Sequence, residues 1–318
     1  MLASWFESFG PPDVITTSET SAPQLVPNSV LVQVEAVAVD HVDTFVRNGR
    51  FKTALASPHI VGRDLVGTVV ASNVAAFTPG QAVWSNAMGY DGRMGATAEY
   101  VVVPAPLLFP VPEGVDHHQL VAAVHSAATA SIVLRDVMAA GPNDTLLIEG
   151  AAGHVGTKLV SLAHHMGLRV LTTSAPRDFS KLTQLGSDRC FDYHDPITTS
   201  VDEPVQHAID TSGRIALNAN LTVLTQGGEV TLITAPADRP FTFDGPAFYM
   251  ALKHINGFVI SHATTVQLQR AAEQLNHQFA DGQLLDDTLL IKFFKDAAWA
   301  HDALESGADH GHRIVLTP

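Results

Sequence analysis

The segment 145–156 constrains the fold of this chain more than any other part of its sequence. It reads TLLIEGAAGHVG, an apolar run followed by a glycine-rich turn and the start of a stretch with helical spacing. Against the pattern G-x-G-x-x-G, Ala151, Gly153 and Gly156 occupy the three fixed positions. These positions serve a tight turn, close approach of the backbone to a pyrophosphate, and close packing of helix on strand. The segment therefore predicts a βαβ unit with a dinucleotide at the helix N-terminus, contacted by Ala151, Gly153, His154, Val155 and Gly156.

The surrounding sequence favours this interpretation over an ordinary glycine turn. Strands are predicted at 145–149, 169–174, 189–193, 207–211, 229–234 and 256–260, and helices at 155–166, 179–185 and 215–224. Strands that alternate with helices are typical of a parallel sheet. The number of strands matches the doubly wound nucleotide-binding sheet, so the predicted class is α/β with a Rossmann-type sheet.

The two ends of the chain have a different pattern. Before residue 120, short apolar runs at 30–34, 66–71, 82–84 and 98–103 are cut by Gly and Pro, which is typical of an irregular β domain. A helix is predicted at 266–279, followed by an apolar run at 289–291, a helical stretch at 295–304 and a strand at 313–316. We interpret this tail as a return to the first domain. The predicted domain bounds are 1–122, 123–281 and 282–318.

Composition limits the class of protein and its partners. A length of 318 residues fits two domains, and 46% hydrophobic with only 16% charged residues excludes intrinsic disorder. The net charge of −14, without any basic run, argues against nucleic acid or a membrane surface as partner. The single Cys190 excludes a disulfide framework and a multi-cysteine metal site. Because no basic residue precedes Arg47 and no apolar run approaches a membrane span, we expect a cytoplasmic protein.

The end of the second predicted strand of this sheet distinguishes between the two nicotinamide cofactors. An NAD site places Asp or Glu there, on the ribose 2′-hydroxyl, whereas this chain has Thr173 and Ser174. Arg177 and Lys181 follow shortly after, and cationic donors suit a 2′-phosphate. We therefore predict NADPH, with Ser174 and Arg177 as contacts. The alternative is a solvated helix start with ordinary surface charges, since Asp178 lies between the two basic residues.

Short motifs extend along nearly the whole chain. They are VAVDHVDTFVRNG at 37–49, GRDLVG at 62–67, FTPGQAV at 77–83, GATAEY at 95–100, Thr129-Ala130, the turn 150–156, HAIDTSG at 207–213, GGEV at 227–230 and RIVL at 313–316. In this order and spacing the chain resembles the medium-chain dehydrogenase/reductase superfamily, and within it the zinc-free quinone oxidoreductase branch that includes zeta-crystallin. The resemblance implies a GroES-like β domain made from both chain ends, a Rossmann domain between them, and a cofactor cleft at their junction. It also implies a homodimer formed through the last Rossmann strand near 256–260.

The motifs argue against a catalytic zinc ion. The zinc-dependent branch has Cys at the position of Asp40 and a His-Glu pair at the positions of Arg63 and Asp64. A guanidinium group cannot ligate a metal, and catalytic zinc needs three nitrogen, sulfur or oxygen ligands. The paired histidines 117/118, 164/165 and 310/312 lack the i, i+4 spacing of a helical metal site, so we interpret them as surface or interface residues. The prediction is therefore that the chain holds no metal.

The resemblance also implies catalytic and substrate-binding residues. Asp40 stands where the family commonly has Asn. The alternatives for it are a hydrogen bond near the nicotinamide, an acid whose pKa is raised by burial, or a turn or cap residue. Thr129 matches a position near the nicotinamide in relatives, and a Thr at a helix start is the alternative. Phe51 stands where the quinone reductases often have Tyr, so it can offer only an apolar wall or a stacking surface to a substrate.

The remaining candidates follow the ends of strands. Tyr193 matches a Tyr near the adenosine end of the cofactor, or packs at a strand end. Thr211 and the loop that Thr234 opens with Ala235-Pro236 lie at the carboxyl edge, where such sheets bind ligands. The alternatives for Arg313 are a contact to the cofactor phosphate and an ordinary surface pair. An apolar substrate pocket and a dimer contact are the alternatives for Tyr249, Phe241, Phe243 and Phe248.

These observations together predict a reaction class. Without zinc, a carbonyl group is not polarised by a Lewis acid, so an electron-poor acceptor is the easier substrate. We predict an NADPH-dependent, zinc-independent oxidoreductase that transfers hydride to a small-molecule acceptor, either a quinone or an α,β-unsaturated carbonyl. One alternative is a zinc-free reductase of another carbonyl substrate. The other is a crystallin-like or redox-sensing protein that binds NADPH without turnover, which the changed residues Asp40 and Phe51 keep open.

Overall fold

The structure, a computed structural model, describes residues 1–234 and 240–318. The chain forms two compact units. Unit 1 comprises Met1–His125 and Thr264–Pro318, and unit 2 comprises Ser126–Ala263. The predicted class, a Rossmann-type parallel sheet together with an irregular β domain built from both chain ends, is confirmed.

Strands dominate the first part of unit 1. They are β1 (Leu2–Phe6), β2 (Thr16–Glu19), β3 (Ser29–Ala38), β4 (His59–Ile60), β5 (Asp64–Ser72), β6 (Ala82–Ser85), β7 (Tyr100–Pro104) and β8 (Phe109–Pro110). The helix α1 (His41–Arg47) follows β3, and α2 (His117–Ile132) follows β8. Alternation in β3 explains its place in the core, because Val30, Val32 and Val34 are buried while Gln33 is exposed.

One helix among the described residues is long and apolar enough to cross a membrane. This helix is α2 with its π-helical continuation to Val137. Only its length and its composition resemble those of a membrane span. Of its most apolar stretch, 78% is buried inside the protein, as in a helix that forms part of a protein core.

Strands and helices alternate through unit 2. They are β9 (Thr145–Glu149), α3 (His154–His165), β10 (Arg169–Ser174), α4 (Phe179–Leu185), β11 (Arg189–Asp192), α5 (Ile197–Ser200), β12 (Val205–Asp210), α6 (Leu217–Val223), β13 (Leu224–Leu232), α7 (Gly245–Met250) and β14 (His254–Gly257). The strands pair in parallel in the order β11-β10-β9-β12-β13-β14. The chain therefore leaves β9 on one side and returns on its other side. At such a reversal a crevice opens beyond the carboxyl ends of the strands.

The end of the chain belongs to unit 1. It contains α8 (Thr265–Ala280), β15 (Leu289–Phe293), α9 (Ala297–Ser306) and β16 (Arg313–Thr317). The large sheet of unit 1 has the order β15-β16-β3-β5-β6-β8, and β7 also pairs with β3. Register sets Val315 against Ala38 and Ala38 against Asp64. The end of β3 and the beginnings of β5 and β16 therefore lie side by side at the same end of these neighbouring strands.

The compact units differ from the predicted bounds at α8. The sequence placed this helix inside the Rossmann segment 123–281, whereas the structure places it in unit 1. Its polar side chains explain the difference, since Gln269 Nε2 donates to Pro106 O at 3.2 Å and Asn276 Nδ2 donates to Pro110 O at 2.9 Å. Asn276 Oδ1 also accepts from Trp84 Nε1 at 3.0 Å. The spacing of apolar residues, on which the predicted bounds depend, does not indicate these polar contacts.

Two buried histidines of unit 1 make the stability of the protein depend on pH. His59 and His301 are each 1% exposed. Burial lowers the pKa of His59 to about 4, and burial together with the charge of Arg47 lowers that of His301 to about 3. Histidines of the unfolded chain have the ordinary pKa of 6.5, so the folded state loses stability as the pH falls below that value. We expect a loss of about 2 kcal/mol per histidine on going from about pH 7.5 to about pH 5.

Urea unfolding of three variants measures this dependence. His59→Leu and His301→Leu are each expected to reduce the loss between the two pH values by about 2 kcal/mol. His254→Leu is the matched control, because His254 is exposed at the start of β14. A loss in either buried variant as large as in the control would contradict the assignment.

Candidate functional site

The glycine-rich turn of unit 2 lies between β9 and α3, as the sequence predicts. Gly150 has φ +69°, and a Cβ there would stand 2.8 Å from Thr211 Oγ1. A Cβ on Gly156 would stand 2.6 Å from Ala151 O, so glycine is needed for the helix to pack on the turn. A Cβ on Gly153 would meet only Gly150 O, at 3.3 Å. The backbone at Gly153 therefore offers open space for close approach of a ligand.

The N-terminus of α3 begins at this turn. Gly153 is its N-cap residue, with φ −74° and ψ 170°, and no described side chain caps the helix. Thr157 Oγ1 donates to His154 O at 3.1 Å, which fixes the first turn. A helix N-terminus without a side-chain cap presents N–H groups and a positive dipole to an anion. The residues present thus fit the pyrophosphate of a dinucleotide.

The strand ends on either side of the turn are held by short polar contacts. Thr211 Oγ1 donates to Glu149 O at 2.8 Å and Gly150 O at 3.0 Å. Asp210 Oδ1 accepts from the N–H groups of Ser212 at 2.8 Å and Gly213 at 3.1 Å. Thr211, a predicted cofactor contact, therefore ties β12 to β9 at the crevice. Glu149, which the sequence did not single out, is fully buried beside it, and burial together with the charge of Asp210 raises its pKa well above the ordinary value.

The predicted contacts for a 2′-phosphate gather at the end of β10. Ser174 is its last residue, is 3% exposed, and accepts at its carbonyl from Tyr193 N at 3.1 Å. The Arg177 side chain is 85% exposed, and its Nε lies 3.8 Å from the Asp178 carboxylate. The Tyr193 ring is half exposed and stacks on His194, with ring centroids 4.1 Å apart. The end of β10 thus carries no acidic residue, Arg177 follows it three residues later with an exposed side chain, and the backbone of Tyr193 bonds to its last residue.

The other candidates of unit 2 are less closely grouped. Thr129 lies inside α2 and is 6% exposed, so it is not a residue at a helix start. Thr234 is exposed after β13, and the residues that follow it in the predicted loop, 235 and 236, lie outside the described residues. Tyr249 is 66% exposed on α7. No described contact joins Tyr249 to the turn.

Unit 1 contains a buried cluster of charged side chains where its three strand ends meet. Asp40 is the N-cap residue of α1, and its N–H donates to Asp43 Oδ2 at 2.8 Å. Arg313 Nη1 donates to Asp40 Oδ1 at 2.8 Å, and Arg313 Nε donates to Ala122 O at 2.8 Å. Arg313 is 3% exposed, so it is not part of a surface pair. The structure places Arg313 in a buried ion pair with Asp40, and its predicted contact with the cofactor phosphate stays a prediction.

Asp64 and His125 complete this cluster. Asp64, the first residue of β5, is fully buried, and its Oδ1 lies 3.4 Å from His125 Nδ1. The same nitrogen lies 3.9 Å from Asp40 Oδ2. Arg63 Nε donates to Asn86 O at 3.3 Å, and its guanidinium lies over the Tyr90 ring at 3.9 Å. The resulting group of two aspartates, a histidine and two arginines is called the acid cluster below.

Burial and charge give the carboxyl groups of the acid cluster different proton affinities. Burial alone would raise the pKa of Asp40, but the adjacent Arg313 holds it well below its usual range. Burial and the charge of Asp40 raise the pKa of Asp64 well above its usual value. The same two causes raise the pKa of Asp43, next to the cluster, to about 8. Burial lowers the pKa of His125 although Asp40 opposes the change. Arg313 therefore favours the ionised form of Asp40, for which an acid role was one alternative, whereas burial and the charge of Asp40 favour the neutral form of Asp64.

Phe51 follows α1. It is half-buried, and its N–H donates to Phe45 O at 2.9 Å. Its role in substrate binding stays a prediction.

Comparison with known proteins identifies the family. A family model described as the alcohol dehydrogenase GroES-like domain matches residues 26–113, and one described as zinc-binding dehydrogenase matches residues 155–276. A quinone oxidoreductase of Mus musculus is 30% identical over 97% of this chain and 95% of that protein. The chain belongs to the quinone oxidoreductase branch of the medium-chain dehydrogenase/reductase superfamily.

Solved structures support the superfamily fold over the whole chain. A mycobacterial protein solved in complex with NADPH is 26% identical, with a TM-score of 0.84 and coverage of 100% of both chains. An Escherichia coli quinone oxidoreductase, also complexed with NADPH, is 20% identical, with a TM-score of 0.86 and the same coverage. The second likeness concerns the fold alone.

The acid cluster includes Asp40, Arg63 and Asp64, the positions compared with the zinc-dependent branch in the sequence. Ligand atoms of Asp40, Asp64 and His125 all lie within 4.8 Å of one another, a spacing that one metal ion can bridge. The guanidinium groups of Arg63 and Arg313 act on the same carboxyl groups and already supply positive charge. His125 and Asp64 were missed as functional candidates, because no local spacing relates residues on α2 and β5. The motif GRDLVG was the only signal for Asp64.

Proposed function

We propose that this chain is an NADPH-dependent, zinc-independent oxidoreductase that transfers hydride to a quinone or an α,β-unsaturated carbonyl compound. One observation carries the proposal. The open glycine turn lies at the carboxyl edge of a parallel sheet, and the neighbouring strand ends in Ser174 rather than in an acidic residue and is followed by Arg177. The names and bound NADPH of the related proteins above support it.

The turn and the end of β10 would hold the cofactor. The N–H groups at the start of α3 would take the pyrophosphate, and Ser174 and Arg177 would take the 2′-phosphate, with Tyr193 beside the adenine. Bound NADPH supplies a hydride. What the protein adds in this reaction class is positioning and exclusion of water.

The charges of the acid cluster support zinc independence. A metal bound by Asp40, Asp64 and His125 would stand beside two arginines, and the repulsion between like charges would weaken its binding. Arg313 also already occupies Asp40 Oδ1 at 2.8 Å. Polarisation of the acceptor by a metal is therefore not part of the proposal, and an electron-poor acceptor is favoured.

The location and assembly of the protein are also proposals. We propose a cytoplasmic protein with a small-molecule acceptor and no nucleic-acid or membrane partner, on the basis of its net charge of −14. We propose a homodimer formed through β14, which is an edge strand of the described sheet. Exposed apolar side chains precede this strand: Tyr249, Met250 and Leu252.

Fluorescence titration of metal-free protein with NADPH and NADH, followed by a panel of quinones, enones and aldehydes, tests the proposal. We expect NADPH to bind preferentially and to be oxidised by quinones or enones without added metal. Oxidation of NADPH by aldehydes but not by quinones or enones would favour a reductase of another carbonyl class. Tight binding without oxidation by any acceptor would favour a protein that binds NADPH without turnover.

Removal of the Arg177 guanidinium is expected to weaken the binding of NADPH but not that of NADH. Arg177→Ala should lower the affinity for NADPH about tenfold and leave that for NADH unchanged, because only NADPH offers a 2′-phosphate to a charge-assisted hydrogen bond. Isothermal titration with both cofactors measures the difference. Arg169→Ala is the matched control, since Arg169 begins β10 at its opposite end. An equal loss of affinity for both cofactors would show that Arg177 attracts them by its charge alone and does not recognise the 2′-phosphate.

A further inference from the structure

We propose that unit 1 contains a second binding site, which takes a small aromatic molecule that carries one carboxylate group. The site is a cavity of about 540 Å³, called the side cavity below. Sites that bind small molecules have volumes of about 300 to 1,000 Å³. All described residues that line the side cavity belong to unit 1, and none of them is a predicted cofactor contact or a member of the acid cluster. The inference therefore goes beyond the proposed function and does not depend on it.

Flat apolar side chains form much of the wall of the side cavity. Trp5 on β1 and Ile60 on β4 are direct partners in antiparallel register, so their side chains lie next to each other on one face. Tyr100 enters the wall from the start of β7. Prolines and methionines add to it: Pro23, Pro27, Pro58, Pro104, Met88 and Met94. Because aromatic and proline rings offer flat faces and methionine adapts its shape, this wall suits a planar aromatic ring.

Hydrogen bonds hold this wall in place. Trp5 Nε1 donates to Ser18 Oγ at 3.1 Å, which fixes the orientation of the indole ring. Gly95 N donates to Ile60 O at 3.0 Å. The strand β7 pairs with β3 along its whole length. A ligand therefore meets a preformed wall, which lowers the entropic cost of binding.

Arg93 determines the charge of the side cavity. Among the described residues that line it, Arg93 has the only charged side chain. The whole chain has 32 acidic and 18 basic residues, so a cavity wall with a basic and no acidic side chain differs from the rest of the protein. A positive charge on an apolar wall favours an anionic ligand over a neutral or cationic one.

The contacts of Arg93 leave it able to bind an anion. Its Nε donates to Ala87 O at 2.8 Å, and its guanidinium lies 4.3 Å from the centroid of the Tyr90 ring. These two contacts orient the side chain without a change in its charge. Nη1 also donates to Asp91 Oδ2 at 3.3 Å, but the Asp91 side chain is 75% exposed. Since solvent screens such an exposed pair, Asp91 only partly offsets the charge of Arg93.

Two hydrogen-bond donors of the side cavity remain for a ligand. None of the described hydrogen bonds uses Arg93 Nη2 or the hydroxyl group of Tyr100, and neither atom is among the fully buried ones. A carboxylate group only accepts hydrogen bonds, and its bonds to a guanidinium are charge-assisted. One positive charge with two donors therefore suits one carboxylate group, whereas a phosphate monoester would bring a second negative charge without a partner.

Calorimetric titration with 2-naphthoate tests the proposal. The full chain is titrated both free and saturated with NADPH, so that binding in the cofactor site is recognised. In both forms we expect one naphthoate per chain with Kd on the order of 10 to 100 µM. Naphthalenemethanol, which has the same ring system without the charge, should bind at least tenfold more weakly. Loss of naphthoate binding in the presence of NADPH, or equal binding of the alcohol, would overturn the proposal.

Arginine variants locate the ligand. Arg93→Met is expected to lower the affinity for naphthoate at least tenfold and to leave that for the alcohol unchanged, because only the carboxylate group pairs with the guanidinium. Arg93→Lys keeps the charge and should restore most of the affinity. Arg50→Met is the matched control, since the Arg50 guanidinium also lies over an aromatic ring of unit 1, that of Phe45 at 4.6 Å, but does not line the side cavity. Equal affinities of Arg93→Met and Arg50→Met for naphthoate would overturn the proposal.

A tyrosine variant keeps the test valid if Arg93→Met does not fold. Tyr100→Phe removes only a hydroxyl group that makes none of the described hydrogen bonds, so thermal unfolding should be unchanged. We expect the affinity for naphthoate to fall about fivefold, as for the loss of one hydrogen bond. Tyr249→Phe, which removes the hydroxyl group of an exposed tyrosine in unit 2, should bind naphthoate normally. Unchanged affinity in Tyr100→Phe would overturn the assignment of the ligand to the side cavity.

Discussion

Replacement of Gly153 by valine is expected to lower the affinity for NADPH roughly 100-fold while unit 2 stays folded. The backbone at Gly153, with φ −74° and ψ 170°, is one that valine adopts readily. A Cβ there meets only Gly150 O at 3.3 Å, so the turn can absorb it with a small shift. The remaining methyl groups then stand where the backbone would approach the pyrophosphate. Fluorescence titration of the variant measures the affinity, and its thermal unfolding reports the fold.

The control for this prediction is a glycine that has space but no ligand. A Cβ on Gly245, at the start of α7, would meet no atom within 4 Å, so Gly245→Val is expected to bind NADPH normally. Gly156→Val is unsuitable, because its Cβ would stand 2.6 Å from Ala151 O and would disturb the fold itself. A folded Gly153→Val variant with unchanged affinity would refute the assignment of the turn.

The Rossmann-type sheet was predictable because its signals are local. The strand Thr145–Glu149, the strand Arg169–Ser174 and the helix Phe179–Leu185 have the predicted bounds. Each is a short apolar run or a helical repeat bounded by Gly, Pro or a polar cap, and the parallel order follows from their alternation. The strand predicted at 229–234 lies instead at Leu224–Leu232, because parallel pairing with β12 extends it toward its N-terminus.

The acid cluster was not predictable because it depends on register between distant segments. Arg313 meets Asp40 only because β16 pairs antiparallel with β3, and Asp64 joins them only because β5 pairs with the other edge of β3. The local sequence around Arg313 does not show which strand will pair with it. A surface ion pair and a contact with the cofactor phosphate were therefore the alternatives that the sequence suggested. The same holds for His125, one of 16 histidines without a spacing that marks it.

The proton affinities of the cluster follow from this same register. Asp40 was considered as an acid on the condition that burial raised its pKa, and burial does act in that direction. The guanidinium of Arg313 reverses the result, and the neighbouring Asp64 takes the role that was considered for Asp40. The proton affinity of a carboxyl group in this cluster therefore depends on which charged residue the strand pairing places next to it.

Replacement of Arg313 by methionine is expected to lower the free energy of unfolding near neutral pH by about 3 to 5 kcal/mol. Asp40, whose side chain is 7% exposed, would lose its cationic partner, and Ala122 O would lose a donor. In the unmodified protein the depressed pKa of Asp40 contributes stability above its unfolded pKa of 3.8, and this contribution is lost as the pH falls. The difference between the two proteins should therefore stay constant near neutral pH and shrink as the pH falls below about 4. Urea unfolding at several pH values measures it.

A double-mutant cycle separates the charge of the ion pair from the packing of the arginine. Asp40→Asn combined with Arg313→Met should cost less than the sum of the two single variants, because neither buried charge is then left without its partner. Asn86→Ala serves as a control that removes a buried side chain from the same unit without a change in charge, and its cost should not depend on pH. Additive effects of Asp40→Asn and Arg313→Met would show that the two charges do not stabilise each other.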